Sequence, residues 1–273
     1  MSAKHPIISV TGSSGAGTST VKHTFDQIFR RENVKAVSIE GDAFHKYDRN
    51  AMKKELEKRT ALGDSTFSHF SFDANILSDL EGVFRSYGES GKGRTRHYVH
   101  NQDESRIYGA EPGEFSEWVE MEPGSDLLFY EGLHGAVVNE EVNLAQYADL
   151  KIGVVPVINL EWIQKIHRDR STRGYSTEAV TDTILRRMHA YVHCIVPQFT
   201  ETDINFQRIP TIDTSNPFIC RNIPTPDESF VIIHFRKGAR EKWGIDFQYL
   251  LGMINDSFMS SPTSIVVNGG KMG

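Results

Sequence analysis

The sequence predicts an α/β domain with a mostly parallel, mixed β-sheet flanked by helices, and three observations predict it. Short apolar runs rich in β-branched residues alternate along the chain with segments of helical periodicity. Two of these runs, 127–130 and 150–157, are apolar almost throughout, as parallel strands buried on both faces are. A glycine-rich turn joins the first strand to the first helix. Alternating strands and helices favour a single domain over residues 1–273.

Composition places the chain among ordinary globular proteins and excludes some classes of function. It has 273 residues, of which 38% are hydrophobic and 24% charged. The net charge of −6 argues against a general nucleic-acid binder, because such domains are usually basic. The longest apolar run, around Ile152–Ile158, is far too short to cross a membrane. Cys194 and Cys220 are far apart in sequence, so we expect two reduced thiols in a cytoplasmic protein.

The first half of the chain supplies two strands, three helices and a long polar segment. Ile7–Thr11 is a β-branched run typical of a buried strand. A helix over 18–32 follows, because Val21, Phe25 and Phe29 recur at helical spacing. The elements expected next are a strand at 36–40, helices at 49–62 and 74–87, and a polar excursion at 88–126. That excursion is long for a plain loop, so it is either functional or carries short hairpins.

The second half continues the alternation of strands and helices. The expected elements are strands at 127–130 and 150–157, helices at 159–172 and 177–195, and late strands at 209–213 and 230–235. The two helices fall in a segment, 159–197, that we expect to form a helical lid.

One glycine-rich segment has the pattern of a phosphate-binding loop. Its residues are Gly12, Ser13, Ser14, Gly15, Ala16, Gly17, Thr18, Ser19 and Thr20. Glycines let successive N–H groups point at ATP phosphates, and the following helix adds its positive end. Thr18 replaces the usual lysine, so another cation must meet the β- and γ-phosphates, while Ser19 is placed to coordinate Mg²⁺. A turn without a ligand and a Rossmann-type loop remain alternatives, although the glycine spacing disfavours the second.

Two carboxylates follow strands at the edge where open parallel sheets bind ligands. Glu131 ends the run 127–130 as the carboxylate of a Walker-B strand does, and it would reach Mg²⁺ directly or through water. Asp42 follows the second strand, where it would accept the proton of an attacking hydroxyl group. A turn residue or a helix cap is the other interpretation of Asp42.

His45 and Arg49 lie four residues apart, just after Asp42, and we expect them to share a helical face. Beside Asp42 they could hold a sugar phosphate, with Arg49 as a bidentate clamp. A solvated, charged helix start explains the same two residues equally well.

The densest charge in the chain lies on one helix near its middle. Lys165, Asp169 and Arg173 recur at intervals of four residues, and Arg168 adjoins Asp169. Gly174 is expected to end this helix. Two helices joined by an arginine-rich turn are typical of a kinase lid, whose cations could replace the missing lysine. A surface helix with many salt bridges is the alternative.

Long, specific motifs occur in six segments: Gly12–Thr20, Glu40–His45, Phe129–Gly135, Val155–Ile166, Thr202–Arg208 and Asp213–Phe218. These motifs resemble those of the phosphoribulokinases, most closely of the proteobacterial branch, and the resemblance covers nearly the whole chain. It implies a P-loop kinase fold and an ATP-dependent enzyme. The implied reaction transfers the γ-phosphoryl group of ATP to O1 of D-ribulose 5-phosphate, which gives the D-ribulose 1,5-bisphosphate of the Calvin cycle.

The same resemblance implies a role for each matching residue. The implied catalytic residues are Asp42, Asp169, Lys165 and Arg168, with Asp42 as the general base. The implied substrate-binding residues are His45, Arg49, His100 and Arg173. The implied ligands of Mg²⁺ are Ser19, Glu131 and Asp169.

Regulation and assembly are also implied by the resemblance. Bacterial members are octamers that NADH activates and AMP inhibits, so we expect a homo-oligomer with an effector site that includes Arg31. His234 stands where another effector-site arginine is expected, which weakens the expectation of NADH activation. The loop 12–20 has no cysteine, so the thioredoxin-type switch of plant enzymes is not expected.

Two other functions remain open from the sequence alone. One is a uridine kinase-like or phosphoribulokinase-like enzyme with a different small acceptor, and the other is an inactive nucleotide sensor. Lys165, Arg168 and Arg173 favour an acceptor that already carries a phosphate, which a nucleoside lacks. The acidic residues weigh against a sensor, because a pure sensor needs no general base.

Overall fold

The computed structural model describes residues 4–271, and for Thr172, Arg173 and Lys271 it describes the backbone alone. The described residues form two compact units. The first unit holds the residues up to Thr11 together with 18–151 and 186–201, and the second holds the remainder. A single domain over 1–273 stays a prediction.

The regular elements confirm the predicted α/β class. Those up to residue 132 are β1 (Ile7–Thr11), α1 (Thr18–Arg31), β2 (Ala36–Glu40), α2 (Arg49–Ala61), α3 (Leu77–Ser90), β3 (Arg94–Thr95), α4 (Gln102–Tyr108), β4 (Val119–Glu120) and β5 (Leu127–Gly132). Those that follow are β6 (Leu150–Val154), α5 (Ile158–Arg173), α6 (Thr177–Ala190), β7 (Ile204–Pro210), β8 (Ser229–Phe235), α7 (Ala239–Trp243), α8 (Phe247–Met253), β9 (Phe258–Ser261) and β10 (Ser264–Asn268).

The first unit is built on three parallel strands in the order β2-β5-β1. Alternate side chains of β5 point to opposite faces, as the period of two in a strand requires. On one face Phe129 packs against Phe25 and Phe29 of α1, with ring centroids 5.1 and 5.6 Å away. On the other face Leu128 and Tyr130 join a buried cluster with residues of α3. Burying each large apolar side chain stabilises the fold by roughly 1.5–3 kcal/mol.

The second unit combines parallel and antiparallel pairing. The part of β6 that belongs to this unit pairs in parallel with β7. From there each strand pairs antiparallel with the next, in the order β7, β8, β10 and β9. Helix α8 covers this antiparallel part, where Phe247 packs on Phe235 of β8 with ring centroids 5.0 Å apart. Elsewhere in this unit, Ile166 of α5 packs on Val180 and Ile184 of α6.

Several expected boundaries differ from those observed. The helix expected at 74–87 begins at Leu77, because Phe72–Ala74 form a separate 3₁₀ turn. The strand expected at 209–213 is β7, and it ends at Pro210, before Asp213 accepts the backbone N–H of Ser215 in a turn. The helix expected at 177–195 ends as an α-helix at Ala190, where a π-helical turn begins.

Other features were expected only loosely or not at all. The excursion 88–126 has regular structure of its own: the short strands β3 and β4 pair antiparallel. The segment that joins them is long and contains the helix α4, so they do not form the short hairpin that was one of the two interpretations. The elements after β8 were not predicted. No helix within residues 4–271 is both long and apolar enough to cross a bilayer.

Candidate active site

The carboxyl ends of β1, β2 and β5 place the candidate residues of the first unit at one edge of the sheet, because the three strands are parallel. Glu40 at the end of β2 pairs with Glu131 on β5. Just after Glu40 and Glu131, the two backbones come very close at Gly41 and Gly132. A Cβ on Gly41 would lie 2.8 Å from the Cα of Gly132, so only glycine permits this approach. The approach leaves Asp42, in the 3₁₀ turn after β2, beside the end of β5.

Glu131 lies against the N-terminus of α1. Burial raises its pKa, and so do the negative charges of Asp42 and Glu40, although a hydrogen bond with Thr18 and the charge of Lys22 oppose the rise. Thr18 is the first residue of α1, so its hydrogen bond joins the carboxylate of Glu131 to the N-terminal end of the helix that follows the glycine-rich loop. A positive ion bound at this carboxylate would relieve the crowding of negative charge.

The loop before α1 has the geometry of a phosphate cradle. Gly15 and Gly17 have φ angles of 108° and 105°, which side chains other than glycine rarely tolerate. The N–H of Ala16 donates to the carbonyl of Ser13 across 3.0 Å and closes the turn. The hydroxyl of Ser13 is fully buried and has no hydrogen-bond partner among the described residues. An orphaned donor in such a loop fits a bound phosphate oxygen.

In the second unit, α5 brings cations to this loop. Arg168 donates from Nη2 to the hydroxyl of Ser14 across 3.1 Å and from Nε to Oδ1 of Asp169 across 3.1 Å. Lys165 Nζ lies 2.5 Å from Oδ2 of Asp169, and both side chains are buried. A Cβ on Gly15 would lie 3.7 Å from Cβ of Lys165. The structure therefore brings three predicted residues of α5 to the loop.

Arg173 and Gly174 end this helix. Gly174 takes the left-handed conformation, with φ of 69°, and terminates the helix as predicted. The side chain of Arg173 lies outside the described residues.

Asp42 is at the centre of a cluster of imidazoles. His45 Nε2 lies 3.2 Å from its Oδ1, and His100 Nε2 lies 3.6 Å from its Oδ2. Burial raises the pKa of Asp42, but the hydrogen bond and charge of His45, with the charges of His100 and His69, outweigh it and lower that pKa below its ordinary value. The Asp42 side chain is still 43% exposed, so an incoming hydroxyl group can reach the ionised carboxylate.

His45 and Arg49 do not share a helical face, so that prediction is wrong. The side chain of Asp48 accepts the N–H of Ala51 across 2.7 Å and caps α2, which therefore begins at Arg49. His45 instead ends the 3₁₀ turn that carries Asp42. Arg49 nevertheless reaches the cluster through a hydrogen bond with Tyr98, whose ring lies 4.9 Å from that of His100.

Four residues of this region were not predicted: His69, Asn75, Arg96 and Tyr98. The ring of His69 lies 5.2 Å from that of His45. Arg96 donates to the carbonyls of Ala43 and His45 across 2.8 and 2.9 Å, and so holds the turn on both sides of Phe44. Of these four residues, only Tyr98 could have been suspected from the sequence, because it lies two residues before the predicted substrate-binding residue His100. Among residues 4–271, no group of three or more His, Cys, Asp and Glu side chains is arranged to hold a metal.

Several known proteins are similar to this chain in sequence and in fold. The model of the phosphoribulokinase / uridine kinase family matches residues 7–215. Phosphoribulokinase 1 of Cereibacter sphaeroides is 71% identical over 100% of the chain and 92% of its own length. The phosphoribulokinase of Nitrobacter vulgaris is 65% identical with the same coverage. The solved structure of phosphoribulokinase from Rhodobacter spheroides superposes with a TM-score of 0.88 at 69% identity, covering 98% of this chain and 92% of that one.

Proposed function

Because the chain belongs to the phosphoribulokinase / uridine kinase family, we propose that it phosphorylates D-ribulose 5-phosphate at O1 with ATP. The product is D-ribulose 1,5-bisphosphate, the substrate of carbon fixation in the Calvin cycle. The observation that carries the proposal is the partly exposed carboxylate of Asp42, which lies between His45 and His100 and near Glu131. Relatives with 60–71% identity over essentially the whole chain bear the name of this activity.

Residues Gly12–Thr20 hold the phosphates of ATP through backbone N–H groups and the end of α1. The buried, unpartnered hydroxyl of Ser13 supports this assignment. Magnesium fits the carboxylate of Glu131 and the hydroxyl of Ser19, since kinases hold this ion with one or two carboxylates and the phosphates themselves. Asp169 is the further carboxylate of the Mg-ATP site. When bound, the ion neutralises charge on the transferring phosphoryl group.

Asp42 takes the proton of the attacking hydroxyl group. As O1 of the sugar bonds to the γ-phosphorus, the bond from that phosphorus to the bridging oxygen breaks, and ADP leaves. The O1 proton passes to a carboxylate oxygen of Asp42. The lowered pKa keeps Asp42 ionised before reaction, so it is ready to accept.

Cations take the place of the missing loop lysine. Lys165 and Arg168 lie on the helix that contacts the loop 12–17 in the same unit, and their charges stabilise the transferring phosphoryl group. The residues assigned to the sugar phosphate are His45, Arg49, His100 and Arg173.

Two segments carry these residues. We assign 88–126 to the acceptor side of the site, because Tyr98 and His100 of this segment contact the Asp42 cluster. We assign 159–197 to a helical lid, whose helix α5 presents Lys165 and Arg168 to the loop.

Our proposal for regulation and assembly rests on the resemblance to proteobacterial phosphoribulokinases. We propose a cytoplasmic homo-oligomer, an octamer, with NADH and AMP as effectors. Arg31, in the last turn of α1, is exposed and pairs with its neighbour Glu32, so it can reach an effector phosphate. His234 on β8 is exposed and hydrogen-bonds Ser264 across 2.9 Å. A histidine there binds phosphate less strongly than an arginine, so NADH activation is expected to be weak.

The proposed function is tested by ADP release from Mg-ATP with three acceptors: ribulose 5-phosphate, ribose 5-phosphate and uridine. We expect turnover with ribulose 5-phosphate alone. Uridine lacks the phosphate that the cations of the site would bind, and ribose 5-phosphate is an aldose, so it lacks the C1 hydroxymethyl group that the reaction phosphorylates. ADP detection that does not consume NADH allows each reaction to run with and without that nucleotide.

The three acceptors also separate the alternatives. Faster turnover of uridine would assign the chain to another branch of the family. A protein that binds ATP but turns over no acceptor would be a nucleotide sensor.

A further inference from the structure

The side-chain amide of Asn75 has only one possible orientation. Its Nδ2 lies 2.9 Å from the carbonyl of His69 and 2.8 Å from the carbonyl of Ser71. Carbonyl oxygens only accept, so the NH₂ group must face them and cannot exchange places with the amide oxygen. Oδ1 therefore faces the other way, 2.8 Å from Nδ1 of His45. Asn75 is itself almost completely buried.

This orientation fixes the protons of His45. Since Oδ1 of Asn75 can only accept, Nδ1 of His45 must carry a hydrogen. The other nitrogen, Nε2, is left to face the Asp42 carboxylate at 3.2 Å, and it also donates there when His45 is protonated. The backbone supports the pair, because Lys46 donates to the carbonyl of Ala74 and Ile76 donates to the carbonyl of Phe44.

The charges around His45 agree with this assignment. Burial lowers the pKa of His45, but the hydrogen bond and charge of Asp42 and the bond to Asn75 raise it overall, against the charge of Arg187. His69 packs on the ring, and His100 faces the other oxygen of Asp42. His134, 3.1 Å from Nδ2 of Asn75, is held neutral, because burial and then the charge of His45 lower its pKa to about 3.

A buried scaffold holds Asn75 and His134 in turn. Gln198 places Nε2 3.4 Å from His134 and donates to the carbonyl of Leu133 across 2.9 Å. Its Oε1 accepts from Thr11, the last residue of β1, across 3.2 Å. The chain of polar contacts thus runs from Asp42 to the strand that precedes the phosphate-binding loop, and each member limits the movement of the next.

We propose that Asn75 is a positioning residue for the phosphoryl transfer. By accepting a hydrogen bond from Nδ1–H of His45, it aims Nε2 of His45 at Asp42 and so holds the carboxylate where it takes up the hydroxyl proton. The proposal rests on the proposed function, in which Asp42 is the base. Asn75 is almost completely buried, so it is not placed to contact a substrate itself. It acts through His45, and a displacement of the base by about 1 Å is enough to cost on the order of 10²-fold in rate.

The test compares Asn75→Leu in the wild-type chain and in a His45→Ala background. In the wild type we expect kcat with ribulose 5-phosphate to fall by about 10–10²-fold, with the KM for ATP within about twofold. In the His45→Ala background we expect a further loss of no more than about threefold, because the residue through which Asn75 acts is gone. Equal losses in the two backgrounds, or near-normal kcat for Asn75→Leu, would overturn the proposal.

Two further variants separate positioning from folding. Asn75→Asp keeps an oxygen that can accept from His45, so its kcat is expected to stay above that of Asn75→Leu, and an equal loss would count against the hydrogen bond. Ser71→Ala removes the acceptor for the N–H of Ser68 in the same turn without touching His45, and it is expected to retain kcat within about twofold. A loss in Ser71→Ala as large as in Asn75→Leu would mean that Asn75 is merely structural.

Turnover by the wild-type chain distinguishes a failure of the proposed function from a failure of this inference. A wild-type chain without ribulose 5-phosphate turnover would overturn the proposed function and this inference with it. An active wild type with an unaffected Asn75→Leu would overturn this inference alone.

Discussion

Asp42→Asn is expected to lower kcat with ribulose 5-phosphate by at least ~10²-fold while leaving ATP affinity nearly unchanged. Asparagine has the same shape as aspartate but cannot take up a proton at neutral pH. His45 and His100 would still surround the side chain, so the acceptor can bind without being activated. Steady-state kinetics with ATP and sugar phosphate varied separately would measure kcat and both KM values.

Asp48→Asn is the matched control for this variant. It removes one negative charge six residues away, and asparagine caps a helix about as well as aspartate, so α2 should keep its start. Its kcat is expected within about twofold of the wild type. Near-normal turnover in Asp42→Asn would show that Asp42 is not the general base.

Lys165→Met is expected to lower kcat by about 10²–10³-fold. This lysine is buried on the helix that contacts the loop 12–17, and the loop itself has threonine where the motif usually has lysine. A preorganised cation in such a setting contributes several powers of ten to rate through charge developing in the transition state. Isothermal titration of ATP analogues, with steady-state kinetics, would separate binding from turnover.

Lys22→Met is the control for the lysine variant. Lys22 pairs with Glu40 and also lies near Glu131, so it is the other lysine that could serve the phosphates. We expect its kcat to stay within about fivefold of the wild type. Removing Lys165 takes one cation away from the buried carboxylate of Asp169, which Arg168 also contacts, so thermal melting must show that the variant is folded. Near-normal kcat in folded Lys165→Met, or a larger loss in Lys22→Met, would contradict the assignment.

The placement of Asp42, Glu131 and the glycine-rich loop could be predicted because each depends on local sequence. A short apolar run predicts a strand, and parallel strands bring their carboxyl ends to one edge. The shared helical face of Lys165 and Asp169 could be predicted for the same reason, because it depends only on their spacing of four residues within one helix. In the structure these residues lie where the periodicities indicate.

Contacts that depend on distant parts of the chain could not be predicted in this way. Asn75 meets His45 across 30 residues, and Arg96 meets Ala43 across 53, with no spacing in the sequence to indicate either. The prediction that His45 and Arg49 share a helical face was wrong for a local reason, because Asp48 caps a helix that begins only after His45. The elements after β8 are only four to seven residues long, too short to establish a helical or strand period, although β10 is itself buried.

The most direct test of the whole account is phosphorus-31 NMR of the product formed from Mg-ATP and ribulose 5-phosphate. The account predicts one new phosphomonoester signal, coupled to the two protons on C1, that grows in step with ADP. Release of inorganic phosphate without a new ester, or a phosphate on any other oxygen, would contradict it.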